Sequence, residues 1–141
     1  MPSKKTNPFK LREFLWIDLQ QVARLEAIGI KNTDQMLAAG CTSQRRADLA
    51  ARAGTPEGTI LELVKLSDLS RLPGVKGIRA RLYYAAGVDT VEKLASFEPE
   101  ALLRLTGEFV ERTNFPGIAP LPKEVSSTIA NARLLPRLVD Y

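Results

Sequence analysis

The sequence predicts an all-α fold of short helices, and three observations carry that prediction. Hydrophobic residues make up 45% of the 141, enough for a real core, while aromatics are only 6% and Leu and Ala dominate the apolar set. That composition favours helices over a sandwich or barrel. Apolar residues recur at spacings of three and four, and short turns bearing Gly, Pro, Asn or Thr separate these runs where helices start and stop. No segment sustains the period-two alternation of a strand.

Residues 1–10, with Pro2, Lys4, Lys5 and Pro8, read as a flexible basic arm. A long helix is expected from Leu11 to Ile28, because Leu11, Leu15, Leu19, Val22 and Leu25 form one apolar stripe. Trp16 lies off that stripe, flanking the core or packing on a partner. Asn32-Thr33 reads as the cap of a short helix ending at Gly40, and Thr42 or Ser43 as the cap of the next, ending at Gly54. Thr55-Pro56 reads as a capping residue followed by proline at the first helical position. Ile60, Leu63 and Val64 give that helix its apolar face, and Ser67 opens a further short turn of helix through Leu72.

After Leu72-Pro73-Gly74-Val75-Lys76-Gly77 a helix with Ile78, Leu82 and Ala85 on one face is expected to stop at Gly87. Asp89-Thr90-Val91-Glu92 starts another helix, and Pro99 a third with Leu102, Leu105 and Phe109 inward. A proline-rich loop leads to the last helix, whose stripe is Val125, Ile129 and Ala132.

Several chemistries lack their residues. The chain has no histidine, which removes His-ligated zinc, Ser-His-Asp triads and imidazole proton shuttles together. No clustered carboxylates suggest a two-metal nuclease, and no phosphate-binding Gly-Lys loop occurs. Asp34, Asp89 and Glu92 read as cap chemistry. Cys41 excludes an intramolecular disulfide and reads as a small packing residue. A non-enzymatic protein without metal, cofactor or indicated small-molecule substrate is therefore expected. No apolar run is long enough for a membrane span or signal peptide, so a cytoplasmic protein with no membrane partner is expected. A net charge of +4 permits nucleic-acid binding without demanding it.

An internal repeat with a period of 47 residues is visible. Leu25, Ile28 and Ala38-Ala39-Gly40 map onto Leu72, Val75 and Ala85-Ala86-Gly87. In each copy the order is turn, helix, Ala-Ala-Gly, cap, helix, which favours duplication. Two units follow, residues 11–66 and residues 67–141, the second including the C-terminal helix. Gly40 and Gly87 are both expected at positive φ. A shorter echo lies at Phe115-Pro116-Gly117-Ile118-Ala119-Pro120.

The run from Leu72-Pro73-Gly74-Val75-Lys76-Gly77 to Ala85-Ala86-Gly87-Val88-Asp89-Thr90 resembles the helix-hairpin-helix superfamily. With Gly29-Ile30-Lys31-Asn32-Thr33, the chain resembles an uncharacterised family of tandem helix-hairpin-helix proteins, a domain of unknown function. The resemblance implies tandem repeats packed into one compact helical domain. Lys76 stands where the pattern has its second glycine, with Gly77 one place later, and the other two copies lack the full Pro-Gly-x-Gly step.

Glycine lets such a turn approach another surface, and the first amides of the following helix form an anion site with the helix dipole. In DNA-binding members of the superfamily that site holds a backbone phosphate. Gly74, Lys76, Gly77, Arg79 and Arg81 are the candidate binding residues here, in a stretch free of acids between Asp68 and Asp89. They also read as a solvated basic face. Arg45, Arg46 and Arg52 form a secondary basic cluster. Of Tyr83 and Tyr84, at least one belongs to the core. The expected function is sequence-independent DNA binding, with duplex favoured; a protein-interaction adaptor is the alternative.

Overall fold

Every regular element is a helix in the computed structural model, which describes residues 8–141. A 3-10 turn at Leu11–Glu13 precedes α1 (Leu19–Ala27), α2 (Thr33–Ala39), α3 (Ser43–Ala53), α4 (Glu57–Leu69), α5 (Gly77–Ala85), α6 (Val91–Ala95), α7 (Pro99–Thr113) and α8 (Pro122–Leu134). Among the described residues there is no strand, only an isolated bridge between Lys10 and Asn32. No helix among them is long and apolar enough to cross a membrane.

Side-chain caps start most of the short helices. Asn32 caps α2, Thr42 caps α3 and Thr90 caps α6, each accepting a hydrogen bond from the amide three residues on. Pro99 and Pro122 open α7 and α8, where a missing N–H costs nothing. Before α4, Pro56 itself occupies the cap position, and Thr55, expected to cap, is buried beside it.

The long first helix does not form. The chain makes the 3-10 turn, runs extended through Phe14, and reverses at Trp16 (φ 60°) before Asp18 caps α1. The three-four spacing spans that break by coincidence, and Leu19, expected inward, is exposed. Of the expected arm, residues 1–7 lie outside the described residues. Its end is tied down: the Thr33 amide donates to the Phe9 carbonyl at 3.0 Å, and Phe9 packs edge-on against Phe14.

α4 organises the packing, with α2, α3 and α5 against it. Ile60, Leu63, Val64, Leu66, Ser67, Asp68 and Leu69 are all buried, more than one face of a helix. Ser67 therefore lies inside α4 rather than opening a new turn, and the boundary expected between residues 66 and 67 falls within this helix. α8 docks on α6 and α7 through Val125, Ile129 and Ala132, as expected. One contiguous apolar cluster runs from Leu11 to Val139, and a smaller one gathers Leu82, Phe109 and Phe115.

Two further expectations need correction. α5 buries Gly77, Ala80, Arg81, Leu82 and Tyr83, leaving Ile78 and Ala85 exposed. Its inner face is thus rotated from the expected one, because Gly77 must lie against the Glu13–Phe14 backbone. Gly87 has φ 96°, but Gly40 has φ −121°. Gly40 is demanded by packing instead: a Cβ there would meet Val64 Cγ2 at 2.5 Å.

Candidate nucleic-acid interface

The turn between α4 and α5 begins after Leu72, whose carbonyl takes the Val75 amide at 3.1 Å. Gly74 reverses the chain at φ 81°, a conformation that strains other residues, and no atom lies within 4 Å of where its Cβ would stand. Lys76 then occupies the cap position of α5 in an extended conformation and supplies no side-chain cap. The first bond into the helix is from the Ala80 amide to the Lys76 carbonyl, at 2.8 Å. Among the described residues, the Gly77, Ile78 and Arg79 amides find no partner.

A groove of about 850 Å³ opens beside this helix start. Gly74, Lys76, Gly77, Ile78 and Arg79 form one wall, and Phe9, Glu13, Gly117, Ile118 and Glu124 complete it. The echo at Pro116-Gly117-Ile118 thus meets the second turn in space. Gly117 is packed so closely that a Cβ would press on Ile78 and Phe115.

The cations do not form the expected open face. Lys76 is exposed, with its ammonium 5.6 Å from the Phe9 ring centroid. Arg79 lies along the groove wall, donating to the Ile118 carbonyl at 2.6 Å and pairing with Glu124 at 2.8 Å. Arg81 points inward: its side chain is only 5% exposed, pairs with Glu62 at 2.7 Å and donates to the Leu15 carbonyl at 2.6 Å. Arg81 braces the fold and is closed to a ligand. Glu13 and Glu124 balance the two groove cations in formal charge. Neither carboxylate could be placed there from sequence, since Glu124 reaches Arg79 only through the packing of α8.

The secondary cluster is also divided. Arg45 and Arg52 are exposed, and Arg45 reaches back to the Ala38 carbonyl at 3.3 Å. Arg46 is buried, donating to the Gly40 and Asp140 carbonyls at 3.0 and 3.1 Å, so it ties the C-terminal segment to α3 rather than facing outward. Tyr83 is fully buried and Tyr84 half-buried, as the core reading requires; burial pushes both phenols above their ordinary range. Among the described residues, no group of three or more His, Cys, Asp or Glu side chains could hold a metal.

One exposed aromatic, Trp16, is expected from sequence either to flank the core or to pack on a partner. Trp16 stands beside Phe115, ring centroids 5.2 Å apart and planes at 76°, with 57% of the residue exposed. Phe115 in turn adjoins Gly117, which lines the groove.

No curated protein and no solved structure matches the chain. A family model does match, over residues 17–135, and it is described as a domain of unknown function, DUF4332. That span takes in α1 through α8 and the whole groove wall on α5, and the chain belongs to this family.

Proposed function

We propose that this chain is a non-enzymatic, sequence-independent DNA-binding module, built from two diverged helix-hairpin-helix units. The second turn holds a backbone phosphate of duplex DNA. One observation carries the reading: three successive first-turn amides of α5 stand without partners beside exposed Lys76, after a positive-φ glycine with open space around it. Unpaired amides and the positive end of the helix dipole favour an anion. Such contacts hold a duplex without reading its bases. The duplication is supported by the shared order of positive-φ turn, helix, Ala-Ala-Gly and threonine-capped helix in α2–α3 and α5–α6.

The ligand set is smaller than the sequence suggested. Gly74, Lys76, Gly77 and the Ile78 amide are the contacts. Arg79 is engaged by Glu124 and the Ile118 carbonyl at the groove wall, and Arg81 acts only by bracing. A duplex titration at several salt concentrations tests this. Replacing Lys76 with Ala should weaken binding about equally across sequences and lower the salt slope by roughly one unit, since each neutralised phosphate contributes about 0.9. Gly74→Val should weaken binding while leaving charge unchanged. Absence of salt-dependent binding at low ionic strength would overturn the proposal.

A protein-interaction adaptor is the second reading, favoured by one observation: Ile78 and Ile118, 49% and 84% exposed, flank a groove whose charges balance. An apolar interface of that kind would persist as salt rises, whereas phosphate binding would not.

A further inference from the structure

Trp16 is the chain's single tryptophan, and its backbone sits at φ 60°. Bulky residues seldom occupy that region, and strain of this kind persists only where the surroundings enforce it. Here they do. The Leu15 amide donates to the Gly77 carbonyl at 3.5 Å, and the Leu15 carbonyl accepts from Arg81 Nε at 2.6 Å. Arg81 is itself fixed by Glu62. On the other side Asp18 is held by its capping bonds to the Gln20 and Gln21 amides. Pinned on both sides, the chain turns the indole outward, where a large apolar ring gains little from burial. The perpendicular contact with Phe115 engages only part of the ring and leaves it mostly open.

The same hydrogen bonds tie the residue before Trp16 to the start of α5. Leu15 is bonded to Gly77, the first residue of α5, and Phe115 leads through Gly117 to Ile78 in its first turn. We propose that Trp16 is a stacking platform for an unpaired base of single-stranded nucleic acid whose phosphate lies at the α5 start. This rests on the phosphate-binding reading of that turn and extends it to a second feature of the ligand. A base within a duplex has both faces covered by its neighbours; an unpaired base offers its π-face, whatever its identity. The phosphate contacts at the α5 start are open to either ligand, so stacking on Trp16 is what distinguishes a single strand from a duplex.

The test reads the intrinsic emission of Trp16 in the native full chain and, for the native protein and the variants that lack this tryptophan alike, the anisotropy of end-labelled ligand. Oligothymidylate and a duplex of equal length are titrated at low ionic strength into the native protein, Trp16→Ala and Trp16→Phe, with folding of each checked by thermal unfolding. Saturable quenching by oligothymidylate but not by duplex is expected. Trp16→Ala should weaken single-strand binding about tenfold and leave duplex binding unchanged, and Trp16→Phe should retain most of the affinity. Salt-dependent binding with unchanged emission and an unaffected Trp16→Ala variant would overturn the platform and leave the phosphate site standing. Absence of binding to either ligand would overturn both.

Discussion

Two turns of this molecule look alike in sequence and differ in what they leave open. Both reverse at a glycine in the left-handed region, Gly29 at φ 91° and Gly74 at φ 81°, and each feeds a short helix. The first closes itself. Asn32 accepts from the Gln35 amide, Gln35 Oε1 takes the Lys31 and Asn32 amides, and the Thr33 amide goes to Phe9. The second has Lys76 where the first has Asn32, and the amides that follow stay free. A capping side chain and an external anion compete for the same donors. Only the turn without its own cap is available to a ligand, so two turns of similar sequence need not share one function.

The turns are also braced differently, and that difference predicts the largest effect. The first is held by backbone and cap hydrogen bonds and by the part-exposed Arg12–Glu26 pair beside it. The second is held to the Leu15 segment through Arg81, buried and paired with Glu62. Arg81→Leu removes a buried guanidinium and leaves the part-exposed Glu62 carboxylate and the Leu15 carbonyl without this partner. A loss of about 3 kcal/mol in unfolding free energy is expected, measurable by chemical denaturation. A loss below about 1 kcal/mol would mean that the pair is not a brace. The same variant should release Trp16 and broaden or red-shift its emission.

The Ala-Ala-Gly ends give the next contrast. Gly40 is short of space, whereas Gly87 has nothing within 4 Å but a φ of 96°. Gly40→Ala should cost about 2 kcal/mol by overpacking, and Val64→Ala in the same chain should recover part of it. Gly87→Ala should cost about 1 kcal/mol through backbone strain, which no neighbouring substitution relieves. Double-mutant denaturation distinguishes the two causes. Additive behaviour of Gly40→Ala with Val64→Ala would remove the distinction.

What could be read from sequence follows from whether the cause was local. Caps are local, so Asn32, Thr90 and Pro99 marked their helices correctly and Thr42 was one of two adjacent candidates, whereas Pro122, which opens α8, read as part of the loop before it. The α8 stripe was legible because one amphipathic helix docks one face. Ser67 misled because a serine buried inside α4, against its neighbours, looks in sequence like a cap. The expected helix from Leu11 failed because the break at Trp16 is enforced by Gly77 and Arg81, far away in the chain. In the candidate site, the turn glycines and Lys76 were legible, being local turn chemistry. The loss of Arg79 and Arg81 to Glu124, Ile118 and Glu62 was not, since each partner arrives through tertiary packing.

The two turns can be converted toward each other. Asn32→Ala removes a cap and should cost about 1 kcal/mol. Lys76→Asn should do the reverse. Its extended backbone suits a capping residue, so an asparagine there can accept from the first turn of α5. Stability should rise by several tenths of a kcal/mol, and DNA binding should fall further than in Lys76→Gln, which removes the same charge without supplying a cap. Equal binding by the Asn and Gln variants would show that the free amides contribute nothing to anion binding.

The smallest expected effect concerns the residue before each threonine cap, Asp89 in the second segment and Cys41 in the first. Burial alone would raise the Asp89 carboxyl, but hydrogen bonds from Lys65 and Lys93, at 2.6 and 2.8 Å, outweigh it and hold the carboxyl below its ordinary value. A carboxyl lowered in the folded state binds its proton less readily than in the unfolded chain. Its stabilisation is therefore complete above the unfolded value, about pH 4, and is lost as pH falls through the folded one. Thermal unfolding of the native protein and of Asp89→Asn, followed from neutral pH downward, checks this. The difference in midpoint should stay constant to about pH 5 and shrink below about pH 4. The contact links α4 to the start of α6 and has no counterpart beside Cys41, so Cys41→Ser should show no such acid dependence. A difference that is flat across the acid range would mean that the Lys65 and Lys93 contacts do not hold the carboxylate in solution.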